Sequence, residues 1–346
     1  MTLLLSLALA ATVEVRAGEP LRPALARLGP GDTLRLGPGR HRGGLGKVSG
    51  VTVEGSGAAA TVVEAGEDEP AATVAGDVSL RGLTLAAGPI RCGLAVQSGT
   101  ARVRDAALTG GACGAFVEGG RLDAGKVTLT GGLYGLLVGG GQAALDGATL
   151  RGEAAGAAMT RGAMHLARTV VTGPAREAAV SVSGGTATLD EVVVADPGPS
   201  GIAVLGGKLE GREVTVSGPR EAGGLRGDCL LSIRGQVRLR DSMLLRCGGL
   251  AGEVAGGFLR LESVYFEGGR EGGIALTRGA RAELEDVVAA GSGPALVVEG
   301  TSSARIAASR WLAEPALQVD CAGGARVTLA GGSLPEPCPQ GPAPTP

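Results

Sequence analysis

The sequence predicts an all-β fold: a right-handed parallel β-helix of about 13 rungs with a short capping helix at its N-terminal end. The first observation behind this prediction is a repeat, because short apolar segments recur at intervals of 21 to 23 residues along most of the chain. The second is composition, since 64 of the 346 residues are Gly and 2% are aromatic. A core of small aliphatic residues needs many regular contacts, which stacked repeats provide.

At the N-terminus, an apolar run from Leu3 to Ala11 is too short to span a bilayer. Ala8-Leu9-Ala10 has the small-x-small pattern of a cleavage site, so we interpret residues 1–11 as a signal peptide. No Lys or Arg precedes the run, which leaves a first buried strand continuous with Thr12–Val15 as the alternative. No later segment has about 18 uninterrupted apolar residues, so we expect no membrane span.

A capping helix is predicted before the first rung. Leu21, Ala24, Leu25 and Leu28 would lie on one face of this helix, which ends at Gly29-Pro30-Gly31. That apolar face would cover the open end of the core, where an uncapped solenoid exposes its interior.

The predicted β-helix domain occupies residues 12–334, with the cap at 12–40 and the rungs at about 41–334. Residues 335–346 follow it and are rich in proline. Because proline lacks the N–H that a sheet requires, we expect this segment to be a tail or linker.

Thirteen apolar anchor residues mark the repeat. They are Val53, Val74, Val96, Val117, Val138, Met159, Val182, Val204, Ile233, Val254, Leu276, Val298 and Val319. One spacing, from Val204 to Ile233, is 29 residues, and the others are 21 to 23. Each unit holds three short alternating strands separated by Gly or polar residues. A hexapeptide helix, a leucine-rich repeat and a propeller fit these spacings less well.

The composition excludes several other classes of protein. With 44% hydrophobic residues, 19% charged residues and a net charge of -2, the chain does not resemble a disordered one. Its glycines follow no three-residue period, which excludes collagen. The basic residues are not concentrated in any segment, so we expect no nucleic-acid partner.

The N-terminal segment, residues 12–41, combines a strand, the amphipathic helix and a Gly-Asp-Thr turn at Gly31-Asp32-Thr33. In this it resembles the start of the pectate lyase-like right-handed β-helix superfamily. The resemblance implies the fold of nearly the whole chain. It implies no single activity, because the superfamily includes lyases, hydrolases, epimerases, adhesins and inert scaffolds.

Six cysteines predict three disulfides: Cys92–Cys113, Cys229–Cys247 and Cys321–Cys338. Cys92 and Cys113 each precede an anchor residue by four positions, so they should stack on adjacent rungs. The second pair brackets one rung, and the third would tie the tail to the last rung. Disulfides indicate a secreted, periplasmic or cell-surface protein. The alternative is that the cysteines are buried free thiols.

Carboxylates recur at the turn after the second strand of the unit. They are Asp105, Asp146, Asp190, Glu191, Glu213, Asp241, Glu262, Glu285 and Asp286. We expect them to form one column, interrupted by Lys126 and Arg168, that hydrates the turn. Calcium binding is a second hypothesis for this column, and we expect no other cofactor. Of the two histidines, His41 is predicted to be a packing or rim residue, and His165 to face solvent or a groove.

The unit with the longest spacing supplies the catalytic candidates. In lyases that share this fold, an Arg or Lys base acts beside calcium-bound carboxylates, so the resemblance points to Arg220, Glu221, Arg226, Asp228 and Arg246. A solvated loop with ion pairs is the alternative. No nucleophilic triad is evident, and Tyr134, Tyr265 and Trp311 lie on distant rungs.

Two functions are compatible with these features of the sequence. The first is a secreted or envelope-associated, non-enzymatic scaffold that binds an envelope protein or a polysaccharide. The second is a polysaccharide lyase or epimerase that acts on an acidic glycan. The feature that distinguishes them is whether Arg and carboxylate side chains from neighbouring rungs converge in a cleft.

Overall fold

The computed structural model describes residues 10–173, 176–221, 226–312, 317–319 and 323–330. These residues form a β-solenoid of about 14 turns with one helix, α1 (Leu21–Leu25). Each strand pairs in parallel with the strand one turn later, as in Leu94 with Ala115 and Leu136 with Ala157. The prediction of a parallel β-helix with an N-terminal capping helix is therefore confirmed.

The strands are short, as expected for a chain that turns three times in each rung. The first eighteen are β1 (Thr12–Val15), β2 (Thr33–Leu36), β3 (Gly39–Arg42), β4 (Gly46–Val48), β5 (Thr52–Glu54), β6 (Thr61–Glu64), β7 (Ala72–Ala75), β8 (Val78–Arg81), β9 (Thr84–Ala86), β10 (Cys92–Ser98), β11 (Thr100–Gly110), β12 (Cys113–Val117), β13 (Arg121–Gly131), β14 (Tyr134–Val138), β15 (Gln142–Asp146), β16 (Thr149–Gly152), β17 (Ala155–Met159) and β18 (Ala163–Ala167). The remaining described strands are β19 (Val170–Thr172), β20 (Val180–Val182), β21 (Thr186–Asp190), β22 (Val193–Ala195), β23 (Ser200–Val204), β24 (Lys208–Arg212), β25 (Thr215–Ser217), β26 (Asp228–Ile233), β27 (Gln236–Leu245), β28 (Leu250–Ala255), β29 (Phe258–Gly268), β30 (Gly272–Thr277), β31 (Arg281–Glu285), β32 (Val288–Gly291), β33 (Leu296–Val298), β34 (Ser303–Ala307), β35 (Arg310–Trp311), β36 (Leu317–Val319) and β37 (Arg326–Ala330).

The stacked strands form three faces. Face A contains β4, β7, β10, β12, β14, β17, β20, β23, β26, β28, β30, β33 and β36. Face B follows it in each rung and includes β15, β18, β21, β24, β31 and β34, and face C includes β16, β19, β22, β25 and β32. The longer strands β11, β13, β27 and β29 run from face B into face C without interruption. Along each strand, every second side chain points into the enclosed core.

On face A, one inward column runs the length of the solenoid. It consists of Val48, Val74, Val96, Val117, Val138, Met159, Val182, Val204, Ser232, Val254, Leu276, Val298 and Val319. Eleven of the thirteen predicted anchors lie in it. The other two predictions, Val53 and Ile233, are wrong.

The two errors have different causes. Val53 lies on face B, where it pairs with Leu34 and Leu80, and the face A position of its rung is Val48 because Val48 and Val74 are 26 residues apart. Ile233 is displaced by one residue, since Ser232 pairs with Val204 and Val254. Ser232 is fully buried, and among the described residues its Oγ has no hydrogen-bond partner. The anchor was assigned to Ile233 because the assignment relied on apolar side chains, whereas the inward residue of this rung is polar.

Between faces B and C, each regular rung turns at one residue in the left-handed conformation. The non-glycine residues at these turns are Asp105, Lys126, Arg168, Glu191, Glu213, Asp241, Ser263, Asp286 and Ala308, with φ values between 45° and 54°. Only five of the nine predicted carboxylates occupy this column. The other four, Asp146, Asp190, Glu262 and Glu285, lie one residue earlier, in a column that also holds Arg212 and Arg240. The expectation of a single carboxylate column is thus wrong, because one residue along a strand changes the direction of a side chain.

The N-terminal end of the core is covered as predicted. Leu21 and Ala24 of α1 are buried against it, and His41 is a fully buried packing residue whose Nε2 lies 2.9 Å from the Gly37 carbonyl oxygen. In the Gly-Asp-Thr turn, the Asp32 carboxylate accepts hydrogen bonds from the backbone N–H groups of Gly29 and Ala11, which lower its pKa.

Two of the three predicted disulfides are confirmed. Cys92–Cys113 joins adjacent rungs with a Cα–Cα distance of 4.4 Å, and Cys229–Cys247 has a Cα–Cα distance of 5.4 Å. Cys321 and Cys338 lie outside the described residues, as do most of the predicted signal peptide and the whole of the tail, 335–346. In the described part of the chain, no helix has the length and apolar character needed to cross a bilayer.

Candidate functional site

A groove of about 480 Å³ crosses five rungs of face B. Two outward columns of side chains line it, which we call the groove columns. The first holds His165, Thr188, Glu210, Arg238 and Arg260, and the second holds Asp190, Arg212, Arg240 and Glu262. The two columns exist because alternate residues of a strand point to the same side of the sheet. His165 faces this groove, as predicted.

The floor of the groove includes Leu189, Gly211 and Leu239, and both leucine side chains are buried in the core. Gly211 stands in an inward column between these two leucines. A Cβ atom on Gly211 would lie 2.6 Å from Leu239 Cδ2, so the leucine side chain occupies the space that a larger residue would need. The groove thus has charged walls above a floor whose leucine side chains face the core.

Ion pairs connect side chains of the groove columns on neighbouring rungs. Arg212 lies 2.9 Å from Asp190, Arg238 lies 3.7 Å from Glu210, and both pairs join side chains on adjacent strands. Lys208 Nζ lies 2.6 Å from Glu210 Oε1, and this hydrogen bond lowers the pKa of Glu210. Glu210 therefore acts in the groove as an ionised acceptor, and it does not hold a proton to donate.

The centre of the groove is its most cationic part. Strand β27 contributes Arg238 and Arg240, and the groove columns carry no carboxylate on that strand. The ion pairs of these two arginines are long, at 3.7 Å from Arg238 to Glu210 and 3.3 Å from Arg240 to Asp241. Each planar guanidinium has five N–H donors, so both retain donors for a ligand.

No protein-family model matches this sequence, and no curated protein matches it. Among solved structures, the Agl-KA catalytic domain is 12% identical with a TM-score of 0.52, over 87% of this chain and 63% of that one. This chain has the pectate lyase-like right-handed β-helix fold. It spans less than two thirds of the Agl-KA catalytic domain.

Two further structures of this fold have lower TM-scores. The A-module of the mannuronan C-5 epimerase AlgE4 from Azotobacter vinelandii is 13% identical, with a TM-score of 0.44 over 90% of this chain and 94% of that one. A polygalacturonase from Erwinia carotovora is 11% identical, with a TM-score of 0.42 over 93% of this chain and 96% of that one.

The five predicted catalytic candidates lie elsewhere, around the long connection between face C and strand β26. Of these five described residues, none lines the groove. Arg220 pairs with Asp196 at 3.6 Å, and Arg226 pairs with Glu271 at 2.7 Å. Glu221 is exposed, and the Arg246 guanidinium donates to the Ser217 hydroxyl. Three of the five thus hold different partners on the surface of the loop, as expected of a solvated loop with ion pairs.

Asp228 differs from the other four because it is buried. Its Oδ1 atom accepts a hydrogen bond of 2.7 Å from the Leu250 backbone N–H. Burial raises the pKa of this carboxyl. The hydrogen bond from Leu250 offsets part of that rise, and the nearby charge of Glu253 adds to it. The structure therefore brings one predicted candidate into an environment that disfavours its charge.

Replacing Asp228 with Asn should stabilise the protein at neutral pH. The Asn keeps an oxygen for the Leu250 N–H and removes the buried charge. Because the folded-state pKa of Asp228 is raised, the protonated form of Asp228 stabilises the folded protein. This contribution is complete below the ordinary pKa of a carboxyl group, and it is lost as pH rises through the folded-state pKa. The gain from Asn should thus appear at about pH 7 and vanish at about pH 3 in urea denaturation. An equal gain at both pH values would contradict this origin.

Metal binding by the turn carboxylates stays a prediction. In the described part of the chain, no three His, Cys, Asp or Glu side chains are grouped closely enough to hold a metal ion. Around the groove, Arg212 and Arg240 separate Asp190 from Glu262 along the second column. A guanidinium beside each of these carboxylates already supplies the positive charge that a cation would bring.

Sequence reasoning missed Arg212, Arg238, Arg240 and Arg260 as binding candidates. A signal was present in the segment QVRLR at 236–240, where Arg alternates with apolar residues and must point outward. The signal was not decisive, because the segment ARVR at 101–104 has the same alternation and lies outside the groove.

Proposed function

We propose that this protein binds an acidic polysaccharide in the face B groove. The observation that carries the proposal is the pair Arg238 and Arg240, two guanidinium groups on one strand at the centre of the groove. Guanidinium groups bind carboxylates through paired N–H donors, so this rung suits the carboxylate of a uronic acid.

The rest of the groove supports a sugar ligand. Adjacent rungs lie about 4.8 Å apart, close to the advance of one sugar in an extended polysaccharide. Asp190 and Glu262 offer acceptors for sugar hydroxyls, and Arg212 and Arg260 offer donors. The two disulfides support a secreted or cell-surface location for such binding.

The test measures binding of acidic and neutral polysaccharides to the mature chain, from residue 12 onward, by titration calorimetry. The Arg238→Ala/Arg240→Ala variant should bind the acidic glycan about 100-fold more weakly, since each charge-assisted hydrogen bond contributes about 1.5–3 kcal/mol. The matched control is Arg102→Ala/Arg104→Ala, which removes the same pair from the same two columns on β11, outside the groove. Equal losses in both variants would show non-specific attraction, and no binding by the unaltered protein would refute the proposal.

A second candidate function is lyase or epimerase action on the same glycan. The observation that favours it is His165, an exposed imidazole on the first groove column, because His is a common general base near neutral pH. Lyase turnover should release unsaturated sugars with new absorbance, whereas epimerase turnover should invert C5 of the uronate without new absorbance and is followed by proton NMR. Both are measured at neutral to alkaline pH with and without calcium, and either should disappear in His165→Ala. Binding without turnover would support the non-enzymatic scaffold.

A further inference from the structure

The charge carried by the groove columns changes from rung to rung. Each rung contributes one residue to each column, and both columns continue one rung beyond the groove onto β31. The five rungs from β21 to β31 carry Thr188 and Asp190, Glu210 and Arg212, Arg238 and Arg240, Arg260 and Glu262, and Glu283 and Glu285. At neutral pH these pairs carry net charges of -1, 0, +2, 0 and -2 in that order. Within these two columns the positive charge is thus concentrated on one rung, with balanced rungs on both sides and negative rungs beyond them. On β24, Lys208 pairs with Glu210 and Glu213 pairs with Arg212, so the charges of that rung stay balanced when these neighbours are included.

The negative end at β31 is not neutralised by its neighbours on β29. Glu283 and Glu285 lie 3.3 Å and 3.7 Å from Arg260, and Glu262 approaches the same guanidinium at 3.8 Å. Three carboxylates therefore share the Arg260 guanidinium, and Arg281 lies two residues before Glu283 on β31. Arg305 follows one rung later, on the side of β31 away from the groove centre.

The distances between these rungs make the pattern effective. The negative rungs lie two steps from the central one, which is about 10 Å at the spacing of adjacent strands. This distance is close to the screening length at physiological salt, so the attraction of Arg238 and Arg240 for an anion over β31 is weakened by screening. Glu283 and Glu285 lie directly beside such an anion and repel it. An anion over β27 lies directly against two guanidinium groups.

We infer that the ligand carries one acidic sugar flanked on both sides by neutral sugars, and that an unbroken run of uronates is disfavoured. This inference rests on the proposed function and specifies its substrate class. The acidic sugar lies over Arg238 and Arg240, and its neutral neighbours lie over the balanced rungs of β24 and β29. There, Glu210 and Glu262 accept hydrogen bonds from hydroxyls, and Arg212 and Arg260 donate them. Repulsion at the β31 end then provides specificity against polyuronates, since Asp190 at the other end is paired with Arg212.

The experiment compares three pentasaccharides of equal length: one with a single central uronate, one made entirely of uronates and one neutral. Binding to the unaltered protein is measured by calorimetry at low and high salt. The singly acidic sugar should bind about tenfold more tightly than either of the others at low salt, and its advantage over the polyuronate should shrink in high salt.

The Glu283→Gln/Glu285→Gln variant tests the repulsive end directly. It should raise affinity for the polyuronate about threefold to tenfold and leave affinity for the singly acidic sugar unchanged. The matched control is Glu54→Gln, which removes a carboxylate from the second column on β5, far from the groove. These surface substitutions preserve volume, and thermal denaturation checks that each variant is folded.

The outcomes separate the two proposals. If the polyuronate binds as tightly as the singly acidic sugar and the Glu283→Gln/Glu285→Gln variant changes nothing, the inference is wrong while the binding of acidic glycans stands. If none of the acidic sugars binds the unaltered protein, the proposed function itself is wrong.

Discussion

Replacing Val182 with Asp should lower the free energy of unfolding by about 3–5 kcal/mol, because it places an unpaired charge in the core. Val182 is fully buried and stacks between Met159 and Val204 in the inward column of face A. The column has no polar partner at this height, since its neighbours in both directions are apolar. Val254 lies in the same column, but its neighbour Ser232 has a buried hydroxyl that could donate to the new carboxylate, so we expect a smaller loss there.

Val193→Asp is the matched control for Val182→Asp. Val193 lies in the same rung, on β22, and is 40% exposed on face C. The same substitution there should change stability by no more than about 0.5 kcal/mol. Both variants are compared with the unaltered protein by urea denaturation. Similar losses in the two would show that the assignment of inward and outward positions is wrong.

Removing the Cys229–Cys247 disulfide should lower stability by about 3 kcal/mol. The bond closes a segment of 18 residues, and in the chain-entropy model such a cross-link restricts the unfolded chain. Both cysteines are buried, so Cys229→Ala/Cys247→Ala also leaves unfilled space in the core.

Thermal denaturation with and without a reducing agent measures this effect. The Cys92→Ala/Cys113→Ala variant provides the comparison, because its loop of 21 residues is similar in length while Cys92 is partly exposed. It should lose less stability than the Cys229→Ala/Cys247→Ala variant. If thiol titration of the unreduced protein in denaturant finds these four cysteines reactive, they are free thiols.

Much of the fold could be predicted because its determinants are local. Alternating apolar residues specify which side chains point inward, and a regular spacing specifies where one rung lies on the next. The disulfide Cys92–Cys113 followed from the same register, since both residues lie four positions before an anchor. The prediction of inward positions failed at Ser232, because this buried residue is polar and the prediction relied on apolar residues.

The candidate site was less predictable, because its residues are far apart in the sequence. The longest insertion indicated a site around Arg220 and Arg226, yet these side chains pair separately with Asp196 and Glu271. The groove forms instead from short, regular rungs with no insertion of their own. Its signal is distributed over one or two residues in each of five repeats.

From the sequence alone, one can derive the solenoid, its capping helix, two disulfides and the outward direction of Arg238 and Arg240. These properties depend on the alternation of side chains within a strand and on the length of the repeat. The tertiary structure is needed to see that Glu210, Arg238 and Arg260 form one column of the groove. Their alignment depends on a register set by backbone hydrogen bonds between successive turns, and a one-residue change in that register would turn each side chain to the opposite face.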